Sequence, residues 1–194
     1  MEIIMELILA SGSPRRKELL GLFHIPFQIH AADVDETMDP AASPAAETAR
    51  VSALKARAVA GGDNRVIVAA DTIVVCAGRI LGKPRDAADA RAMLSLLSGR
   101  DHQVMTGCTV LRGQREETFT EITDLHFREL SPEEIDAYVR SGEPMDKAGA
   151  YGIQGGAALF CERINGDYYN VMGLPVCRLG QVLKATAPEL FTKP

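Results

Sequence analysis

The chain has 194 residues, 46% hydrophobic and 24% charged, so it is long and apolar enough to bury a core and reads as one globular domain. Its formal net charge of −5 excludes a general binder of nucleic acid or anionic membranes, which needs a basic excess or tail. Cys76, Cys108, Cys161 and Cys177 lie far apart with no Cys-x-x-Cys pair, the pattern of free thiols in the cytoplasm rather than of disulfides or zinc.

Residues 1–6 carry acids and run straight into a strand, unlike a signal peptide, and no apolar run approaches a membrane span. Residues 7–20 then read as a buried strand that breaks at Ser11-Gly12 into a helix. Ser13 stands at its N-cap and Pro14 at its first position, where a missing N–H costs nothing. Arg15, Arg16 and Lys17 crowd the positive end of the helix dipole, where each cation is disfavoured by roughly 0.3–1 kcal/mol. That placement suits either an anion held on the free N–H groups of the helix start or a merely solvated basic turn.

Residues 26–31 form a short strand leading to Asp33, Asp35 and Glu36, a carboxylate group that suits a hard cation or a solvated loop, the loop being favoured on spacing alone. Residues 45–60 read as a helix with Ala49, Ala53, Leu54, Ala56 and Val59 inward and Arg50, Lys55 and Arg57 as polar decoration. Residues 65–75 are a nearly continuous apolar strand, the pattern of a strand covered on both faces. Asp71-Thr72 interrupts it, and a carboxylate there needs backbone donors, a cationic partner or a metal. A turn at Ala77-Gly78 returns the chain to Gly82-Lys83-Pro84. Pro84 stands where a Walker A loop needs Ser or Thr, so that motif is excluded, and Lys83 is either an ion-pair partner or a catalytic partner of Asp71.

Asp86 caps a helix ending before Gly99, and residues 102–111 and 117–127 read as an antiparallel strand pair. His102 is expected to make hydrogen bonds rather than bind metal. Ser131 and Glu134 form a capping box for a helix to Arg140. The glycines from Gly149 to Gly156 imply either close backbone approach or a flexible loop, and Gln154 among them carries an amide able to donate to and accept from a base edge. A strand over 157–164, a turn over 165–170, a helix over 175–185 and a frayed tail over 186–194 complete the chain.

Taken together, Ala10-Ser11-Gly12-Ser13-Pro14-Arg15-Arg16, Ala70-Asp71-Thr72, Gly82-Lys83-Pro84, Ala150-Tyr151-Gly152-Ile153-Gln154-Gly155 and Asn170-Val171-Met172-Gly173-Leu174-Pro175 resemble the Maf family of nucleoside triphosphate pyrophosphatases, in family order over about residues 7–183. The resemblance implies an α/β, two-lobed Maf/ITPase-like fold: a mixed, elongated, twisted sheet flanked by helices, with a central cleft, in a single domain over 1–185. It implies hydrolysis between the α and β phosphates, a divalent cation (Mg²⁺ or Mn²⁺) and a homodimer. The family's general base falls on Asp71 and its cleft acid on Glu36, which reverses the loop reading there and makes the two carboxylates the metal ligands. Its cleft lysines fall on Lys55 and Lys83. Ser11, Ser13 and Arg16 become phosphate-facing. Arg15, Thr72 and Gln154 resemble the branch acting on dTTP and UTP, whereas the 7-methyl-GTP branch usually carries Trp, Gln and Glu there. Another nucleotide specificity, or a nucleotide-sensing regulator of septum formation with little turnover, are the alternatives.

Overall fold

The fold is described here for residues 5–192 of a computed structural model. Residues 1–4 of the segment read as leading into the first strand, and Lys193 and Pro194 of the tail, lie outside the described residues. The elements are β1 (Glu6–Leu9), α1 (Pro14–Gly21), β2 (Phe27–Ile29), α2 (Pro44–Ala58), β3 (Arg65–Cys76), β4 (Arg79–Leu81), α3 (Ala87–Leu97), β5 (Asp101–Arg112), β6 (Arg115–Phe127), α4 (Pro132–Arg140), β7 (Cys161–Asn165), α5 (Tyr168–Met172) and α6 (Val176–Thr186). Among the described residues, seven strands form one mixed sheet in the order β2-β1-β3-β5-β6-β7, with β4 paired to β3, and helices flank it. β1 pairs in parallel with β2 and β3, while β3 with β4 and β6 with β7 are antiparallel. No helix among the described residues is long and apolar enough to cross a membrane, and all four cysteines are free.

The chain divides into two compact units. The first comprises the residues up to Asp71, Thr106–Glu121 and the chain from Gly173 onward. β1 and β3 bury apolar side chains on both faces, while β2 lies at the edge with Gln28 and Ile29 exposed, and Ile8, Ala10, Ala56, Ile67, Ala69 and Leu111 close into one cluster. Burying an isoleucine such as Ile8 or Ile67 stabilises by roughly 1.5–3 kcal/mol, which is why these runs form strands rather than loops. α2 lies directly on β5, because Gly107 has no side chain: a Cβ there would collide with the Thr48 carbonyl. Ser52 and Thr109 hydroxyls meet at 2.7 Å across the same contact.

The described part of the tail is not frayed. After α6 the chain makes a 3₁₀ turn over Pro188–Phe191, with Thr186, Ala187 and Leu190 buried. Arg112 explains this: its guanidinium donates to the Thr186 carbonyl at 3.0 Å and pairs with Glu189 at 2.6 Å, contacts between distant residues that no local pattern reveals.

The second unit comprises Thr72–Met105 and Ile122–Met172. Ala77 and Gly78, both at positive φ, turn β3 into β4, as a two-residue hairpin loop requires. The Asp86 side chain accepts from the Asp89 N–H at 2.8 Å, and Ser131 and Glu134 complete the predicted capping box. Two elements differ from the sequence expectation. The strand expected from 157 begins at Cys161, because Ala158 and Phe160 N–H groups donate to Gly155 and Ala157 carbonyls and hold a 3₁₀ turn over Gly156–Leu159. The expected turn over 165–170 includes the start of α5, whose early N–H groups, on Tyr169 and Asn170, donate to the Asp167 carboxylate at 2.7 and 3.3 Å.

His102 packs edge-on against Phe127 and Tyr151, with its Nε2 at 2.9 Å from the Tyr151 hydroxyl. Burial pushes its pKa down to about 4 from an ordinary value near 6.5. The unfolded chain therefore binds the extra proton between pH 6.5 and 4, and stability present above that window is lost as pH falls through it, by up to about 3 kcal/mol. Melting temperature against pH should fall across this window in the unaltered chain and fall less in His102→Gln, whose amide does not titrate.

Candidate functional site

β1 ends at Leu9, and the chain passes through Ala10 to Gly12 before α1 begins. Ser13 is the N-cap residue, yet its side chain makes no capping hydrogen bond, so the first N–H groups of α1 are not closed off by their own cap. The Ser13 N–H donates instead to the Ser11 hydroxyl oxygen at 3.3 Å. Arg16, one turn into the helix, folds back over this turn: Nη1 donates to Ser11 Oγ at 3.2 Å and Nε to the Gly173 carbonyl at 2.9 Å. Ser11, Ser13 and Arg16 are therefore brought together, with the Arg16 guanidinium held at the helix start. Arg15 is half-buried on α1, and Lys17 is exposed.

Gly173 was part of a recognised motif without a role. Its carbonyl fixes Arg16 across 157 residues of sequence, and its φ of +111° is a conformation that suits glycine. The Met-Gly-Leu-Pro run was the visible signal, but a backbone carbonyl leaves no side-chain trace of its partner.

The second part of the site is an ion triad. Lys55 on α2 is buried, not surface decoration as the helical pattern suggested. Its ammonium donates to Asp71 Oδ1 at 2.7 Å and meets Glu36 Oε1 at 3.0 Å. The side chains of Lys55 and Asp71 keep only 9% and 10% of their exposure, whereas Glu36 keeps 55%. The buried face of α2 runs through Thr48, Val51, Ser52 and Lys55, spaced three and four apart, so the lysine continues a stripe whose earlier members pack on β5. Asp71, which interrupts the apolar strand, takes its cationic partner from this helix.

The other carboxylates near Glu36 are used differently. Asp35 accepts from the Thr37 N–H at 2.9 Å in a local turn, and Asp33 is exposed. The three acids therefore do not act as one ligand set. The buried environment holds the Arg16 guanidinium below its usual pKa, an effect opposed chiefly by the negative charge of Asp71. Arginine remains charged at neutral pH even so, so the two parts of the site form one field of alternating charge.

Thr72, Lys83 and Gln154 belong to the second unit. Thr72 follows Asp71 directly on β3 and is half-buried. Lys83 is exposed two residues beyond β4, next to Gly82, whose carbonyl accepts from the Gly149 N–H at 3.0 Å. Gln154 is exposed in the glycine-rich segment. The close approach those glycines implied is internal: a Cβ on Gly149 would lie 2.7 Å from a Val74 methyl, and one on Gly155 would collide with the Glu143 carboxylate.

Among the described residues no group of three or more His, Cys, Asp or Glu could hold a metal. Asp71 and Glu36, two hard carboxylates on one ammonium, nevertheless fit a hard divalent cation that takes one or two carboxylates and draws its other ligands from phosphate oxygens and water.

A family model described as Maf-like protein matches residues 6–186. The chain is 51% identical to a protein of Bacillus cytotoxicus named dTTP/UTP pyrophosphatase over 178 residues, covering 91% of this chain and 93% of that one. It is 49% identical to a protein of the same name from Bacillus cereus over 184 residues, covering 94% and 91%. Among solved structures it is similar to a HAM1 protein from Coxiella burnetii, with a TM-score of 0.49 and 16% identity over 94% of this chain and all of that one.

Proposed function

This chain belongs to the Maf family, and from that premise we propose that it hydrolyses dTTP and UTP to the nucleoside monophosphate and pyrophosphate. The observation that carries the reading is the buried carboxylate of Asp71 held on Lys55, beside an arginine fixed at a helix start. The substrate assignment is supported by relatives about half identical over nearly the whole chain.

Asp71 orients the attacking water and accepts its proton, the work of a positioned general base. Lys55 holds that carboxylate in place and, with Arg16 and Lys83, neutralises charge that grows on the departing pyrophosphate. Ser11, Ser13 and the uncapped N–H groups of α1 bind phosphate oxygens. Asp71 and Glu36 would hold a divalent cation, Mg²⁺ or Mn²⁺, which when bound supplies charge neutralisation and a more acidic water. Arg15, Thr72 and Gln154 select the base, with the Gln154 amide complementary to the O4 and N3–H edge of thymine or uracil. A homodimer in the cytoplasm belongs to the same proposal and rests on the family and on the free thiols.

The test is pyrophosphate release from dTTP, UTP and 7-methyl-GTP with Mg²⁺ and with a chelator. The expected result is cation-dependent release that is fastest with the two pyrimidine nucleotides. Preferential turnover of 7-methyl-GTP would move the chain to the other specificity, and no release from any of them would remove the enzymatic reading.

A further inference from the structure

We propose that Tyr138 and Glu143 are positioning residues for base recognition, holding the glycine turn that presents Gln154. The inference rests on the role given to Gln154 above.

Residues 152–155 make a tight turn in which the Gly155 N–H donates to the Gly152 carbonyl at 3.0 Å. Ile153 is buried and Gln154 exposed, so the turn is rooted on one side and offers its amide on the other. Both flanks of the turn are tied to the same pair of side chains. The Gly152 N–H donates to the Tyr138 hydroxyl at 3.0 Å, that hydroxyl donates to Glu143 Oε1 at 2.9 Å, and Glu143 Oε2 accepts from the Gly156 N–H at 3.0 Å. Each oxygen of the carboxylate thus has a separate donor, and the turn closes into a ring of hydrogen bonds.

The clamp is itself anchored. Tyr138 is buried on α4, its ring edge-on to Phe160 at 5.2 Å. Burial raises the pKa of its hydroxyl, which therefore stays protonated and able to donate. The Glu143 N–H donates to Ser141 Oγ at 3.2 Å, and its carbonyl accepts from Lys147 Nζ at 2.6 Å.

The glycines match this clamp. A Cβ on Gly152 would lie 2.7 Å from Lys147 Cε and 3.1 Å from the Glu143 carboxylate, one on Gly156 would lie 3.1 Å from the Tyr138 ring, and one on Gly155 would strike Glu143. The segment is glycine-rich so that its backbone can sit on the two side chains, not so that it can move. An amide that reads a base edge must be held to a fraction of an ångström, and a turn ordered before substrate arrives does not have to be ordered by it.

The experiment is a double-mutant cycle in the full chain with dTTP, using Tyr138→Phe, Gln154→Ala and the pair. Tyr138→Phe keeps the ring on Phe160 and removes only the hydroxyl. It is expected to raise KM about tenfold with kcat within twofold, to speed hydrogen exchange at the Gly152 and Gly156 amides, and to add little in the Gln154→Ala background. Glu143→Gln repeats the test should the tyrosine variant fold poorly. If Gln154→Ala raises KM while Tyr138→Phe and Glu143→Gln do not, or if their effects are additive with it, the positioning role is overturned and the Gln154 reading stands. If Gln154→Ala leaves KM for dTTP unchanged, both fall.

Discussion

Asp71→Asn is expected to lower kcat for dTTP by about 10²–10⁴-fold, the range that follows removal of a positioned general base. The asparagine is nearly the same size and retains an oxygen that can accept from Lys55, and Lys55 keeps its 3.0 Å contact with Glu36. The fold should therefore survive, and the loss should appear in kcat rather than in melting temperature. Asp71→Glu keeps the charge but pushes the carboxylate outward against a buried ammonium, so it should recover only part of the rate. The check is steady-state turnover of the three proteins beside their thermal melts. Asp71→Asn with near wild-type kcat would remove Asp71 from the chemistry.

Lys55→Met is expected to cost about 3–5 kcal/mol of stability, because it leaves the Asp71 carboxylate buried without its 2.7 Å cationic partner. For a chain of this size that corresponds to a fall in melting temperature of roughly 6–20 °C. Adding Asp71→Asn should restore part of the loss, since the uncompensated charge is then gone, whereas no restoration of turnover is expected. Glu36→Gln should cost far less, because its partly exposed carboxylate can be solvated and its pair with Lys55 is worth about 1 kcal/mol or less. Melts of the two single variants and the double variant decide the matter. An unchanged melting temperature in Lys55→Met would mean that the triad does not stabilise the fold.

The contrast between Asp71 and Lys55 shows how far the site was legible in the sequence. An acid inside an apolar strand is anomalous on its own, so Asp71 could be singled out without knowing its partner. A lysine on an amphipathic helix is ordinary, and the inward stripe Thr48, Val51, Ser52, Lys55 is too polar to be recognised by hydrophobicity. What draws that stripe inward is Gly107 on β5 and the hydroxyl contact of Ser52 with Thr109, which depend on residues more than fifty positions away. Only the family resemblance pointed to Lys55, and only it singled out Glu36 from the neighbouring acids.

The same distinction runs through the fold. The parallel strands around Ile8 and Ile67, the Asp86 cap and the Ser131–Glu134 box are set by local pattern and were legible. The 3₁₀ turn over Gly156–Leu159 was not, because an apolar Ala157-Ala158-Leu159-Phe160 run fits a strand equally well until its N–H groups are seen closing turns. The ordered end of the chain depends on Arg112, and the fixed guanidinium of Arg16 on the Gly173 carbonyl. Long-range hydrogen bonds of that kind leave no periodicity to read.

The measurement that bears most directly on the proposed reaction is the fate of dTTP in ¹⁸O-labelled water with Mg²⁺. Attack of water at the α phosphorus predicts equal amounts of dTMP and pyrophosphate with the label in dTMP. Formation of dTDP and orthophosphate, or label in the pyrophosphate, would contradict it.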